Sequence, residues 1–204
     1  MHQNLSSPSL RVWGIFCFAV TQKTIIFALK CSAMSKTQLK KHLKSLEKNE
    51  IIEMMMELYD ARKEAKEYLE FYLNPNEKVK LEEYKKIIEN EFYPSRGEPK
   101  TRFSVCRKAV NDFMKLKPAP ELVADLMLFY CEQACQFSYD FGDMWNAFYT
   151  AVENNFARAV EFLKKNGLLE ANEKRIKQII RLTSPCGWGF PDAMEEIYDE
   201  ALYG

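Results

Sequence analysis

An all-α fold is what this sequence predicts, and three observations predict it. Glycine is scarce, at 7 of 204 residues, and the 8 prolines fall mostly between periodic segments rather than inside them. Apolar residues recur at i, i+3, i+4 and i+7 through most of the chain after residue 34. Several segment ends carry helix start or stop signals, such as Ser35-Lys36-Thr37-Gln38 and Lys164-Lys165-Asn166-Gly167.

About eight helices follow from these patterns. The first covers about 36–46, with Leu39, Leu43 and Leu46 on one face. The second runs over about 50–73, with a break expected near Tyr59-Asp60, and Asn74-Pro75 closes it. The third, about 77–92, turns Leu81, Tyr84, Ile87, Ile88 and Phe92 inward. A loop with Pro94, Gly97 and Pro99 leads to the fourth, about 102–116. Pro118 and Pro120 mark a stop and a restart. The fifth, about 121–139, contains the unbroken apolar run Leu126–Cys131, so it is expected at the centre of the core. The sixth begins at Asp143 as its cap and ends at Gly167. A seventh covers about 170–182. The eighth, about 192–202, opens on Pro191-Asp192 with Glu195 at capping-box spacing. The spacing of helix starts is irregular, which favours an irregular bundle or helical array over a solenoid.

Residues 1–33 differ in kind. Val12–Val20 and Ile25–Leu29 are apolar runs separated by a polar stretch, and each is too short to span a bilayer. Lys23 and Lys30 interrupt the apolar region that a secretion signal needs. The capping box directly after Met34 makes that methionine the expected start, with 1–33 a mis-assigned leader and 34–204 a single helical domain.

Basic and acidic residues balance at 29 each, so no global field draws the chain to nucleic acid or to an anionic membrane. Cys106, Cys131, Cys135 and Cys186 show no disulfide-framework spacing and read as reduced thiols of a cytoplasmic protein. Cys131 and Cys135 share a helical face, but the tight pairs of zinc sites are missing. No metal or cofactor is expected.

Three stretches carry a family resemblance: Tyr68–Pro75 (YLEFYLNP), Thr101–Ala109 (TRFSVCRKA) and Gly187–Asp192 (GWGFPD). From about Met34 to its C-terminus the chain resembles an uncharacterised bacterial family of helical domains. That resemblance implies a small helical bacterial protein and brings no activity or catalytic residue with it.

Two places stand out for function. The first is the loop and helix start holding Arg96, Lys100, Thr101, Arg102 and Arg107. Free amides, hydroxyls and cations together suit a phosphate or carboxylate, and cations at a helix N-terminus run against its dipole. The competing expectation is an internal ion pair of Arg102 or Arg107 with an acid such as Glu132 or Asp140. The second place is Ser184–Asp192, where two glycines bracket Trp188. These glycines are expected to turn Trp188 and Phe190 inward as plugs, and otherwise Trp188 lines a groove. Nucleophile elbows, phosphate loops and dinucleotide fingerprints are absent from the sequence, so catalytic residues are not assigned. The leading expectation is a cytoplasmic helical module that binds a protein partner. Anion or nucleic-acid binding through 96–108 is the alternative, and an unrecognised enzyme the third.

Overall fold

The computed structural model describes residues 34–204. The apolar runs, lysines and two cysteines of the leader lie outside the described residues. Nine α-helices and one short 3-10 turn make up the described residues, with no strand among them. The chain is all-α. It divides after Asp60 into two compact units.

The described part of the first unit is a pair of helices, α1 (Lys36–Ser45) and α2 (Lys48–Ala61). The expected capping box is present: Gln38 N–H donates to Ser35 Oγ at 3.2 Å, and Ser35 N–H donates to Gln38 Oε1 at 2.8 Å. Neither helix has a buried residue.

The second unit begins with α3 (Lys63–Leu73) and α4 (Glu77–Phe92), followed by α5 (Phe103–Lys115) and α6 (Pro120–Phe141). It continues with α7 (Asn146–Lys165), the 3-10 turn Glu170–Asn172, α8 (Glu173–Leu182) and α9 (Phe190–Tyr203). The helix expected over 50–73, with a break near Tyr59-Asp60, is indeed two. Its break falls at Arg62, which is extended at φ −135°, ψ 114°. Neither glycine nor proline marks that position, which is why the apolar pattern placed the break a little early.

Helix α6 is the centre of the second unit. Eleven of its 22 residues are buried, and it packs against α4, α5, α7 and α8. A helix that is apolar on several sides has to be surrounded. Helix α9 closes the far side on α7 and α8. Glycine and proline punctuate as expected: Pro120 opens α6, and Gly167 at φ +68° ends α7. There Leu168 N–H reaches Leu163 O at 2.9 Å and Gly167 N–H reaches Lys164 O, a Schellman pattern.

Two expected caps are not formed. Helix α7 starts at Asn146 with Trp145 at its N-cap, leaving Asp143 in the loop before it. Helix α9 starts at Phe190 with Gly189 at its N-cap, so Asp192 lies inside the first turn. In both cases a carboxylate that suits a cap by spacing has the helix start elsewhere. Among the described residues, no helix is long and apolar enough to cross a membrane.

Candidate interaction site

The basic loop folds around an acid that the apolar pattern concealed. Glu91 lies one residue from the end of α4, three positions after Ile88 and seven after Tyr84, and only 2% of it is exposed. Its backbone carbonyl accepts from Lys100 N–H at 3.1 Å and Thr101 N–H at 2.9 Å. Its carboxylate accepts from Arg102 three times: the backbone N–H at 3.1 Å, Nε at 3.0 Å and Nη2 at 2.6 Å. Thr101 adopts φ +45° to make this turn. Of the amides expected to hold an external anion, two are thus satisfied by the Glu91 carbonyl and the third, that of Arg102, by its carboxylate. The fork of Arg102 holds the Glu91 carboxyl below the usual carboxylate range, against a burial that works the other way.

The internal-pair expectation holds for Arg102 with a different acid. Glu132 and Asp140 are engaged elsewhere. Glu132 takes Arg175 in a bidentate pair at 2.6 and 2.8 Å, and Asp140 accepts from Tyr93 Oη at 2.8 Å and Gln136 Nε2 at 2.7 Å. Arg96, Lys100 and Arg107 are exposed, and Thr101 is half-buried. The spacing of Glu91 on the buried stripe of α4 was the available signal. An acid in the last turn of a helix also opposes the helix dipole, as Arg102 does at its own helix start.

Trp188 faces water, contrary to the expected inward plug. It is 72% exposed, while Phe190 is fully buried and stacked on Tyr149 at 4.4 Å between ring centroids. Consecutive left-handed residues separate the two aromatics, Trp188 at φ +62° and Gly189 at φ +72°. Gly187 serves a different need. A Cβ there would stand 3.2 Å from Asp143 Oδ2, so the absent side chain admits the carboxylate.

Asp143 is the hub of this end of the molecule. It accepts from Gly187 N–H and from Trp188 Nε1, each at 3.2 Å, and receives a short hydrogen bond from the Tyr149 hydroxyl. Tyr149 Oη in turn accepts from Met144 N–H at 2.8 Å and lies 3.2 Å from Ser138 Oγ, which is 3.2 Å from Cys186 Sγ. One carboxylate therefore ties the α6–α7 loop to the α8–α9 loop. Tyr149 is pushed up to about 12 by burial and by the neighbouring carboxylate. These hydrogen bonds, that of Tyr149 first, lower Asp143 below its ordinary value.

Four large aromatics stand exposed on the segments that this hub joins: Tyr139, Phe141, Trp145 and Trp188. Three of them are held by ring contacts or by the hub. Trp145 meets Phe148 edge-on at 5.5 Å, Phe141 packs on Phe137 at 4.6 Å, and Trp188 is bonded to Asp143. Lysine and arginine are absent from 118–157 and again from 182–204, the stretches that supply all four rings. That charge partition was legible in the sequence, but the exposure of the rings was not.

The chain from 34 to 201 matches the model of a family of unknown function, DUF6155. It belongs to the DUF6155 family. No curated protein and no solved structure matches it.

Other chemistry in this DUF6155 chain is quieter. Cys106, Cys131 and Cys135 are buried, and burial pushes the first two thiols up to about 12 and raises the third as well. Cys186 is half-buried. No group of three or more His, Cys, Asp or Glu is placed to hold a metal ion among the described residues. A cleft of about 670 Å³ opens between α3, α4 and α5. Much of its charge is paired internally. Glu67 accepts from Lys80 Nζ and Tyr84 Oη, each at 3.1 Å, and Asp112 is held by Lys108 and Lys115.

Proposed function

We infer that this DUF6155 protein is a cytoplasmic helical interaction module whose contact surface is the aromatic end around Asp143. The carrying observation is Trp188, held 72% exposed in a left-handed conformation by a hydrogen bond from its own indole. Holding a large ring in water has no folding benefit, whereas a pre-positioned ring binds at reduced entropic cost. Tryptophan is also the residue most enriched at binding hot spots. The surrounding stretches carry acids without lysine or arginine, which favours a protein partner that presents basic and aliphatic side chains to the indole faces. The free thiols suit a reducing compartment.

The test is affinity capture from native cells with the full chain, comparing wild type with W145A and W188A, each shown by circular dichroism to be folded. A protein recovered by wild type and lost from both variants supports this surface. Equal recovery by all three overturns it.

Anion or nucleic-acid binding through 96–108 keeps one specific support, the exposure of Arg96, Lys100 and Arg107. With Arg102 and three amides taken by Glu91, it is the weaker reading. Salt-sensitive nucleic-acid binding that the triple alanine variant of those residues abolishes would reverse the order.

A further inference from the structure

We propose that Arg107 of α5 and Arg158 of α7 form a binding site for a phosphate dianion, in the seam where these two helices meet over α6. Both helices lie in the second unit and both pack on α6. They touch each other at two levels. Near their N-termini Phe103 meets Phe148 edge-on at 5.0 Å. Further along both helices, Arg158 Nη2 donates to Asn111 Oδ1 at 3.2 Å. The helices therefore lie side by side and point the same way. Phe103, Arg107 and Asn111 recur at i, i+4 and i+8, so Arg107 stands on the edge of α5 that faces α7, between the two contacts. The Asn111 carboxamide draws the Arg158 guanidinium across from α7 to that same edge. The buried Tyr130 lies beneath, its hydroxyl donating to Phe103 O at 3.5 Å. Burial raises that hydroxyl above its ordinary value, and Arg107 and Arg158 both work against the rise.

No acid answers these two cations. Among the described residues the arginine ion pairs are Arg102 with Glu91 and Arg175 with Asp125 and Glu132, so Arg158 is not paired even with Glu161, one turn along α7. The acid of α5, Asp112, is held by Lys108 and Lys115. Residues 1–33 contain no Asp or Glu that could supply the missing charge. Two guanidinium groups brought together by different helices repel unless an anion shares them. Arg158 gives one N–H to Asn111 and keeps the rest for a ligand, and the planar fork of an arginine matches a pair of phosphate oxygens. Two cations balance the two charges of a phosphate ion or monoester, whereas each phosphate of a nucleic-acid backbone brings one. The site shares only Arg107 with the 96–108 reading and does not rest on the aromatic end.

The experiment is a titration of the full chain with inorganic phosphate, followed through the backbone amide signals of Arg107, Asn111 and Arg158 in 1H–15N NMR spectra. Ionic strength is held constant with sodium chloride, at about pH 7.5, where a phosphate monoester is mostly dianionic. Wild type is expected to show saturable shifts with a Kd of about 1 mM. R107A and R158A are each expected to weaken binding by roughly tenfold or more, and R158K, which keeps the charge and loses the fork, to recover only part of it. R181A removes an exposed arginine of α8 outside the seam and is expected to bind as wild type does. All four positions of substitution are exposed or in the seam, and thermal melting by circular dichroism shows each variant folded. O-phosphoserine separates the two sources of the group: binding as tight as that of phosphate assigns the site to a monoester, and much weaker binding assigns it to the free ion. Shifts that grow without saturating, or that R158A leaves unchanged, overturn the proposal. So does a single-stranded oligonucleotide that binds at these arginines while phosphate does not.

Discussion

Arg175 offers the sharpest test of how the second unit is held together. Its guanidinium bridges two acids two turns apart on one face of α6: Asp125 through Nη1 at 2.5 Å and Glu132 through Nε and Nη2 at 2.6 and 2.8 Å. Asp125 is also held by Lys85 from α4 at 2.8 Å, so the cluster joins three helices. Replacing Arg175 by Ala removes three charge-assisted hydrogen bonds, each worth about 1.5–3 kcal/mol in isolation. Simple addition overstates the loss, because bonds made by one guanidinium are not independent. Breaking a fully buried pair costs about 3–5 kcal/mol. Asp125 and Glu132 are each 29% exposed, so water reaches them once the arginine is gone, and Asp125 keeps Lys85. A loss of about 2–3 kcal/mol follows, roughly 5–10 °C in Tm for a chain of this length. Urea denaturation followed at 222 nm gives the number. R175M, which keeps the aliphatic stem, should recover little of it, and a cycle with E132Q should show strong coupling. A loss below about 0.5 kcal/mol, the size of an exposed pair, would refute the bridging role.

Other outcomes follow from the same geometry. G189A should cost about 1–2 kcal/mol in denaturant unfolding, and purely through the backbone, since nothing stands within 4 Å of the added Cβ at φ +72°. Among the four described cysteines, brief alkylation of native protein should modify Cys186 alone, read by peptide mass spectrometry. Cys106, Cys131 and Cys135 are buried and their thiols are pushed up. The hub should fail in acid. Asp143 titrates lower in the folded chain than unfolded, so its contribution is full above the unfolded value, about 3.9, and is lost as pH falls through the lower folded one. Trp188 fluorescence should therefore hold steady from neutral pH down to about 4 and change below it, and D143N should abolish that acid step.

Most helices were legible because helical periodicity and proline or glycine punctuation act locally. The run Leu126–Cys131 placed α6 at the centre for a simple reason: a helix apolar all round has no dry alternative. The failures share a different cause. Asp143 and Asp192 have cap spacing, but where a helix starts depends on competing partners. Tyr149, Gly187 and Trp188 all claim Asp143, and two of them lie more than 40 residues away in sequence. Arg102 was recognised as a candidate for an internal pair, but its acid was sought on α6 when it lay 11 residues back on α4. Glu91 was not singled out, although its spacing from Tyr84 and Ile88 put it on the buried stripe. Trp188 went wrong in sign: apolar character argues for burial, and only the tertiary hydrogen bond to Asp143 holds the ring outside.

The contact surface itself is tested most directly by quenching. Trp145 and Trp188 should be freely quenched by acrylamide in the isolated chain, with W13F removing the leader's tryptophan from the signal. Adding the partner recovered by capture should protect both indoles. A partner that binds while both remain as quenchable as before would place the contact elsewhere on the molecule and contradict the aromatic end as its site.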